Sequence, residues 1–166
     1  MKIMFASDVH GSLKHLDLLL EAYQKEKPNQ MIFLGDMFDN LFGIDEQLIE
    51  KLKEFYPYIV VRGNCDKNSN ALDFVPEYYL EAFHKKIFCS HGHIYDRHIH
   101  PDVEFDVMIG GHTHIGMILQ EEGKYFLNPG SVSLPKGNST NSYMILDDKG
   151  IYLKDLKQQI IDTKEW

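Results

Sequence analysis

Short apolar segments alternate with amphipathic segments along the first part of this chain, and that alternation restricts its fold more than any other feature. Runs rich in Ile, Val, Phe and Met have the length and composition of buried strands, and they lie at 3–6, 31–34, 59–61, 87–89 and 107–109. Two segments with helical spacing of apolar residues separate the first three of these runs. The order strand, helix, strand, helix, strand through Arg62 is typical of a parallel sheet with helices on its faces.

Both predicted helices have recognisable ends. Ser12 is a candidate N-cap for a helix that continues to about Lys25, with Pro28 beyond its end. Asp45 is a candidate N-cap for the second helix, which ends before Pro57. The predicted buried stripe of the first helix comprises Leu13, Leu16, Leu19, Leu20 and Tyr23. That of the second helix comprises Leu48, Ile49, Leu52 and Phe55.

The C-terminal half has a different pattern. Short strands separated by turns rich in Gly, Asn, Asp and Pro predict antiparallel hairpins at 115–121, 125–127, 142–146 and 151–156. We therefore expect an α/β beginning and a β-rich end that share one core. A length of 166 residues with 43% apolar residues is sufficient for that core, and the sequence contains no repeat or long linker, so we expect one domain over 1–166.

Charge and cysteine content narrow the classes of function. The chain has 17 Lys and Arg against 25 Asp and Glu, a net charge of -8, which argues against binding of long nucleic acid. A small substrate bound inside one pocket is compatible with that charge. Only Cys65 and Cys89 are present, which disfavours a secreted disulfide scaffold and favours the cytoplasm. The composition leaves a homo-oligomer open.

No part of the sequence resembles an export or membrane segment. The apolar run at the N-terminus is broken by Asp8 before it reaches the length of a signal-peptide core. No apolar stretch reaches the roughly 20 residues needed to cross a bilayer as a helix. We therefore expect neither an export signal nor a membrane partner.

Each of the five predicted strands up to residue 109 is followed by polar residues at its C-terminal end. The seven candidate ligands in these clusters are Asp8, His10, Asp36, Asn64, His91, His112 and His114. A single Asp or His of this kind is equally typical of a cap, a turn or the core. The carboxyl ends of strands in an open parallel sheet face one crevice, where five such clusters would be desolvated without compensation unless a cation were bound. We therefore predict a metal site.

The donor types indicate which ions the site prefers. Imidazoles, carboxylates and one amide oxygen suit borderline divalent transition ions such as Mn, Fe, Zn or Ni. Among these ions we expect Mn²⁺ first, with Zn, Fe or Ni as alternatives. A Mg or Ca site would be richer in oxygen, and a structural Zn site would be richer in cysteine. Seven donors are too many for one ion, so we expect two ions about 3.5 to 4 Å apart, bridged by one carboxylate.

The candidate ligands occur in five motifs: Asp8-x-His10, Gly35-Asp36-x-x-Asp39, Gly63-Asn64, His91-Gly92 and Gly111-His112-x-His114. Over nearly the whole chain, these motifs resemble those of the calcineurin-like metallophosphoesterase superfamily. Two further segments are similar to the small YfcE-type phosphodiesterases: Gly63-Asn64-Cys65-Asp66 and Asn128-Pro129-Gly130-Ser131. The resemblance implies an α/β fold with α+β character, in which a two-sheet β-sandwich is flanked by helices and the metal site lies at the C-terminal strand ends.

The resemblance also implies a role for each motif residue. The first ion would be held by Asp8, His10, Asp36 and His114. The second would be held by Asp36, Asn64, His91 and His112, the set to which we assign catalysis. Asp36 would bridge the two ions. The implied reaction is hydrolysis of a small phosphodiester by attack of a metal-bridging hydroxide.

A charge count agrees with a diester substrate. Two dications, the carboxylates of Asp8 and Asp36 and a hydroxide leave about +1 at the centre, which suits a phosphodiester monoanion. Arg62 and Arg97 are the only arginines, so the sequence offers no clear bidentate clamp for the dianion of a monoester.

Four residues are predicted to contact the substrate: Asn64, Cys65, His93 and Asn128. At the position of Cys65 many superfamily members carry a His that is thought to protonate the leaving oxygen. A thiol is a weaker acid partner, and we interpret Cys65 as a small residue of the pocket wall. His93 either orients a ligand, contacts the substrate or is a plain loop histidine. Asn128 begins a turn that Pro129 and Gly130 make rigid and that should face the metals.

Two alternatives to this function are left open. A phosphomonoesterase or a cyclic-nucleotide hydrolase would use the same site, and the walls that would distinguish them, at 38–43 and 93–101, cannot be interpreted from sequence. A non-catalytic protein-interaction scaffold on the same fold would not need all seven ligands, and here none is missing. We therefore expect an enzyme, a metal-dependent phosphodiesterase.

Overall fold

The computed structural model describes residues 1–39, 45–67 and 69–166. It begins with alternating strands and helices: β1 (Lys2–Ala6), α1 (Leu13–Glu26), β2 (Gln30–Phe33), α2 (Glu46–Leu52), a 3₁₀ turn (Lys53–Phe55) and β3 (Tyr58–Val61). Strands then follow: β4 (Phe74–Val75), β5 (Tyr78–Ala82), β6 (Lys85–Cys89), β7 (Val107–Ile109), β8 (Gly116–Glu121), β9 (Lys124–Pro129), β10 (Ser142–Asp147), β11 (Gly150–Asp155) and β12 (Ile160–Glu165). The predicted α/β beginning and β-rich end are both present.

The strands form two sheets that pack face to face. The larger sheet has the order β12-β11-β10-β1-β2-β3-β4, in which β1 to β4 are parallel and β10 to β12 are antiparallel. The smaller sheet has the order β5-β6-β7-β9-β8, in which β6, β7 and β9 are parallel. This architecture is the expected two-sheet sandwich flanked by helices.

The five strands that precede the ligand motifs are divided between the two sheets and do not share one open parallel sheet. β1, β2 and β3 lie in the larger sheet, whereas β6 and β7 lie in the smaller one. The reason is that both sheets have an apolar face to cover, and each buries the other: Phe5 of β1 belongs to the same cluster as Ile87 of β6. The strand ends nevertheless meet at one edge of the sandwich, because His91 beyond β6 contacts Asp36 beyond β2.

Apolar packing joins the two halves of the chain. Between the sheets, Ile3 of β1 lies in one buried cluster with Met144 of β10 and Leu127 of β9. On the opposite face of the larger sheet, Leu16 of α1 and Leu48 of α2 pack in a second cluster. A third cluster covers the outer face of the smaller sheet and contains Phe88, Phe105, Met108 and Phe126. The strands beneath the ligand loops are thus buried on both faces, which gives those loops a rigid base.

The predicted helices are present, but one predicted cap differs. Asp45 accepts a hydrogen bond from the N–H of Gln47 at 2.8 Å and caps α2. Ser12 occupies the N-cap position of α1, but its hydroxyl pairs with Nδ1 of His15 at 2.7 Å instead of with the backbone. The strands β4, β5 and β12 are not among those predicted from the sequence. β12 is exposed along its whole length and lacks apolar alternation. Within the described ranges, no helix combines the length and the apolar character needed to traverse a bilayer.

Candidate metal centre

The candidate ligands lie in loops at one edge of the sandwich, directly beyond the ends of β1, β2, β3, β6 and β7. Five of them have a positive φ, between 46° and 65°: Asp8, His10, Asp36, His112 and His114. A positive φ is uncommon for residues other than Gly, costs up to about 1–3 kcal/mol per residue and clusters at functional sites. Five other described residues that are not Gly also have a positive φ, but these five lie together at the strand ends, where the sequence predicts a metal site.

The first group of ligand atoms comes from Asp8, His10 and His114, whose donor atoms all lie within 4.8 Å of one another. Asp8 Oδ1 is 3.7 Å from His10 Nε2 and 3.2 Å from His114 Nε2. Among the described residues, neither Asp8 Oδ1 nor His10 Nε2 has a hydrogen-bond partner, although both atoms are buried. An unsatisfied buried polar atom is costly, and a divalent cation between these donors would satisfy both. This donor set therefore fits a metal ion.

The second group comes from Asp36, His91 and His112, again with donor atoms within 4.8 Å of one another. Asp36 Oδ2 is 3.3 Å from His91 Nε2, and Asn64 Oδ1 is 3.1 Å from the same nitrogen. Asp36 Oδ2 is also 3.8 Å from Nε2 of His10, in the first group. Asp36 thus lies between the two groups, where a bridging carboxylate would stand.

Backbone carbonyls fix the orientation of two imidazoles. Nδ1 of His91 contacts the carbonyl oxygen of Leu34 at 2.6 Å, and Nδ1 of His114 contacts that of Leu134 at 2.6 Å. A carbonyl oxygen only accepts hydrogen bonds, so Nδ1 carries the proton in both rings. Nε2 is then the nitrogen that faces the carboxylates and can bind a cation.

Each carboxylate has one oxygen engaged by the backbone. Asp36 Oδ1 accepts the N–H of Cys65 at 2.8 Å, and Asp8 Oδ2 accepts the N–H of His112 at 3.1 Å. The other oxygen of each carboxylate faces the histidines. Burial raises the pKa of both carboxyls, but the neighbouring histidines outweigh burial and hold each pKa below its ordinary value. Both groups are therefore ionised at neutral pH and supply negative charge for a cation.

Two glycines allow the ligand loops to approach each other. A Cβ on Gly63 would lie 2.1 Å from Asp36 Oδ1, and a Cβ on Gly111 would lie 2.7 Å from Asp8 Oδ2. Such distances are far inside van der Waals contact, so any larger residue would displace the carboxylates. The geometry of the ligands thus explains why these motif positions are glycine.

A cleft of about 500 Å³ opens onto both groups. Its lining combines ligands with other side chains: His10, Asp36, Asn64, His112, His114, Cys65, Leu134, Pro135 and Lys136. Cys65 is a wall residue, and its sulfur lies within 4.8 Å of donor atoms of His10 and Asp36. Burial, reinforced by the charge of Asp36, raises the pKa of the Cys65 thiol to about 12. Of the other predicted wall, 38–43, the part from position 40 on lies outside the described residues.

The other two predicted substrate contacts have different surroundings. His93 is exposed, and its ring centroid lies 5.4 Å from that of His91 and 6.1 Å from that of His112. Asn128 is buried, and its Nδ2 donates to the carbonyl oxygen of Gly111 at 2.7 Å. His93 therefore lies beside two candidate ligands, whereas the amide of Asn128 supports the loop that carries His112.

Two further residues contribute to the site. Asp66 is fully buried and accepts the N–H groups of Met37, Phe38 and Gly63 at 3.1, 3.2 and 3.0 Å. It thereby ties the loop beyond β2 to the loop beyond β3. Lys136 brings a positive charge to the cleft wall. Asp66 is part of the motif Gly63-Asn64-Cys65-Asp66, so the sequence could have indicated that it belongs to the site. Lys136 lies in no motif, and nothing in the sequence around it indicates that it lines the cleft.

Comparison with known proteins gives the family. Residues 1–150 match the model of the calcineurin-like phosphoesterase superfamily domain. The chain is 33% identical over 175 aligned residues to Phosphodiesterase YfcE of Escherichia coli, with 97% of this chain and 95% of that protein covered. It is 30% identical over 180 residues to the probable metallophosphoesterase YsnB of Bacillus subtilis, with 96% and 99% covered.

Similarity to solved structures supports the same family. The structure of YfcE, a phosphoesterase from E. coli, has a TM-score of 0.89 at 32% identity and covers 99% of both chains. A Vps29 from Entamoeba histolytica complexed with Zn²⁺ has a TM-score of 0.73 at 20% identity, a likeness of fold alone. The predicted fold class and the prediction of a metal-dependent phosphodiesterase are confirmed. The chain belongs to the calcineurin-like phosphoesterase superfamily.

Proposed function

We propose that the chain hydrolyses small phosphodiesters and that it does so with two divalent transition-metal ions. The first ion would be held by Asp8, His10, Asp36 and His114, and the second by Asp36, Asn64, His91 and His112. The observation that carries the proposal is the position of Asp36, whose Oδ2 lies 3.3 Å from His91 and 3.8 Å from His10. One carboxylate that faces both ligand groups favours a shared centre over two separate sites.

Bound there, the ions would hold the phosphate, acidify a bridging water for in-line attack and neutralise charge on the equatorial oxygens. The ionised carboxylates of Asp8 and Asp36 bring two negative charges to this point. The imidazoles of His91 and His114 are already oriented by backbone carbonyls, so they bind without rearrangement. The mixture of nitrogen and oxygen donors supports a borderline ion, and we propose Mn²⁺ foremost.

Charges near the cleft favour a monoanionic substrate. Arg62 donates from Nη1 to two backbone oxygens, and Arg97 pairs with Glu121 at 3.3 Å. Among the described residues that line the cleft, Lys136 is the one Lys or Arg side chain. A diester monoanion therefore suits the site better than the dianion of a monoester, which calls for bidentate arginine contacts.

The alternative of a non-catalytic scaffold has less support. A scaffold has no need of buried, unsatisfied donors such as Asp8 Oδ1 and His10 Nε2, which are costly to bury without a cation. We propose substrate contacts from Asn64, Cys65 and His93, while the contact predicted for Asn128 stays a prediction. One domain over 1–166, a cytoplasmic location and a homo-oligomer also stay predictions.

Metal reconstitution tests the proposal. Protein stripped of metal and reloaded with Mn²⁺, Zn²⁺, Fe²⁺ or Ni²⁺ is expected to hydrolyse bis(p-nitrophenyl) phosphate. It should act more slowly on p-nitrophenyl phosphate, a monoester with the same leaving group. Faster hydrolysis of the monoester would support the phosphomonoesterase alternative instead. No hydrolysis of either ester with any of these ions would contradict the proposed function.

A further inference from the structure

A second cavity lies on the outer face of the smaller sheet, at the carboxyl ends of its parallel strands. Its volume is about 230 Å³. Side chains alternate between the two faces of a strand. Cys89 and Leu127 face the other sheet, so their neighbours Ser90 and Asn128 face outward and line this cavity. The segment 95–98, within the predicted wall 93–101, lines another part of the cavity.

Apolar groups supply most of the cavity lining, chiefly Tyr95, Met108, Met117 and Phe126. Thioethers and aromatic edges are favourable neighbours for the faces and edges of a planar ring. A volume of about 230 Å³ is below the roughly 300–1,000 Å³ typical of pockets that hold a whole ligand. The cavity therefore fits one ring system of about the size of a nucleobase.

The hydroxyl of Ser90 requires that a ligand of this cavity also form a hydrogen bond. Ser90 is 5% exposed, and its Oγ is buried without a hydrogen-bond partner among the described residues. A buried hydroxyl without a partner is costly. A ring that carries hydrogen-bonding atoms on its edge would satisfy Ser90, whereas a purely hydrocarbon ring would not.

The cavity and the metal centre share a rim. His91 and His112 carry donor atoms of the second ligand group, whereas Gly92 and Thr113, directly after them in sequence, line the cavity. The backbone of the ligand loops is therefore the partition between the two spaces. Thr113 is exposed and follows His112, which lines the metal cleft, so the two spaces adjoin at this pair of residues.

We infer that this cavity binds the base of a nucleoside phosphodiester whose phosphate lies at the metal centre. The inference rests on the proposed function and names its substrate class. In a nucleoside phosphodiester the sugar separates the base from the phosphate, so the base can lie beyond the rim at Thr113 while the phosphate lies at the metal centre. The base offers flat faces to the methionines and hydrogen-bonding atoms to Ser90.

Two diesters with the same leaving group isolate the contribution of the base. Thymidine 5′-(p-nitrophenyl phosphate) and methyl p-nitrophenyl phosphate both release p-nitrophenol, and only the first carries a base. Met117→Trp fills the cavity, and the control Leu119→Trp lies on the same strand and packs in the same cluster, outside the cavity lining. The ratio of kcat/KM for the thymidine ester over the methyl ester is expected to fall about tenfold or more in Met117→Trp and to stay within about twofold in Leu119→Trp.

Binding of the product provides a second measurement, on the wild-type protein. Thymidine 5′-phosphate is titrated into Zn²⁺-loaded protein labelled with ¹³C in the methionine methyl groups. The signals of Met108 and Met117 are expected to shift, while those of Met4 and Met144, in the other two clusters, stay unchanged.

The two possible failures are distinguishable. If wild-type protein hydrolyses neither ester, the proposed function fails. If it hydrolyses the methyl ester while the ratio is equal in both Trp variants, or while product binding leaves Met108 and Met117 unshifted, the diesterase stands and the inference about the cavity is overturned.

Discussion

The carboxylate of Asp66 accepts the backbone N–H of Met37 at 3.1 Å. Met37 directly follows Asp36, and the same carboxylate accepts the N–H of Gly63, directly before Asn64, at 3.0 Å. Asp66 thus fixes the separation of Asp36 and Asn64 without itself belonging to the groups of ligand atoms. We therefore propose Asp66 as a positioning residue for the second group of candidate ligands.

Asp66→Asn is expected to weaken binding of the second ion. One carboxylate oxygen becomes an amide group that cannot accept, so at least one buried N–H loses its partner at a cost of about 1–3 kcal/mol. Movement of the loops to relieve that cost would separate Asp36 from Asn64. We expect the Kd of the second ion to rise about tenfold or more, measured by calorimetric titration of Zn²⁺ or Mn²⁺ into stripped protein.

Asp147→Asn is the matched control for Asp66→Asn. The carboxylate of Asp147 also accepts a backbone N–H, that of Lys149 at 2.8 Å, in the hairpin between β10 and β11. This variant is expected to keep wild-type metal affinity. Equal metal affinities in the two variants would show that Asp66 does not position the site.

The sequence predicts which candidate ligands come together better than it predicts the arrangement of the strands beneath them. Asp8, Asp36 and His91 each follow a buried apolar run, and such a run ends at the sheet edge whichever sheet it joins. The division into two sheets has no local signal, because runs such as 3–6 and 87–89 are both apolar throughout. The position of Lys136 and the cavity beside Ser90 depend on packing between residues far apart in the sequence. The spacing of apolar residues predicts local structure and gives no information about such packing.

Cys65→Ala is expected to keep both ions and to hydrolyse activated diesters within about tenfold of the wild-type rate, an effect below about 1.4 kcal/mol. The reason is that Cys65 engages Asp36 through its backbone N–H, which alanine retains. Metal analysis and kinetics on bis(p-nitrophenyl) phosphate check this. Loss of an ion in Cys65→Ala would identify the thiol as a ligand, and loss of activity with both ions bound would identify it as catalytic.

Cys65→His is expected to shift preference toward diesters with poorer leaving groups. It places an imidazole with an ordinary pKa of about 6.5 in the cleft wall, and general-acid assistance is worth about 10² to 10⁴ when the geometry is right. If the imidazole is placed imperfectly, the gain in rate will be smaller. Rates on a series of aryl and alkyl esters measure the effect. If the rate depends on the pKa of the leaving group in the same way in Cys65→His and in the wild type, the predicted shift is wrong.

Glu26 links stability to pH at a point remote from the metal centre. Its carboxylate pairs with Lys2 and Lys154 and accepts the hydroxyl of Tyr143 at 3.1 Å. Burial raises the pKa of Glu26, but these partners outweigh burial and leave the pKa lowered. A lowered pKa stabilises the fold above the unfolded value of about 4.3, and this stabilisation is lost as pH falls through the folded value.

Glu26→Gln is therefore expected to lower the free energy of unfolding at pH 7 by about 1–3 kcal/mol, and the difference from wild type should shrink below about pH 4. Urea unfolding at a series of pH values provides the measurement. Glu21→Gln, at an exposed position of the same helix, is the control and should change stability little at any pH. A difference for Glu26→Gln that stays constant from pH 3 to pH 7 would rule out this linkage.

Metal stoichiometry in wild type and in Asp36→Asn tests the shared centre most directly. The substitution removes one negative charge from the position between the two ligand groups, so both ions should bind more weakly and turnover should fall by orders of magnitude. Titration of Mn²⁺ followed by electron paramagnetic resonance is expected to give two coupled ions per chain in the wild type and no coupled pair in Asp36→Asn. Saturation of the wild type at one ion per chain, or a coupled pair with near-normal turnover in Asp36→Asn, would contradict the two-metal account.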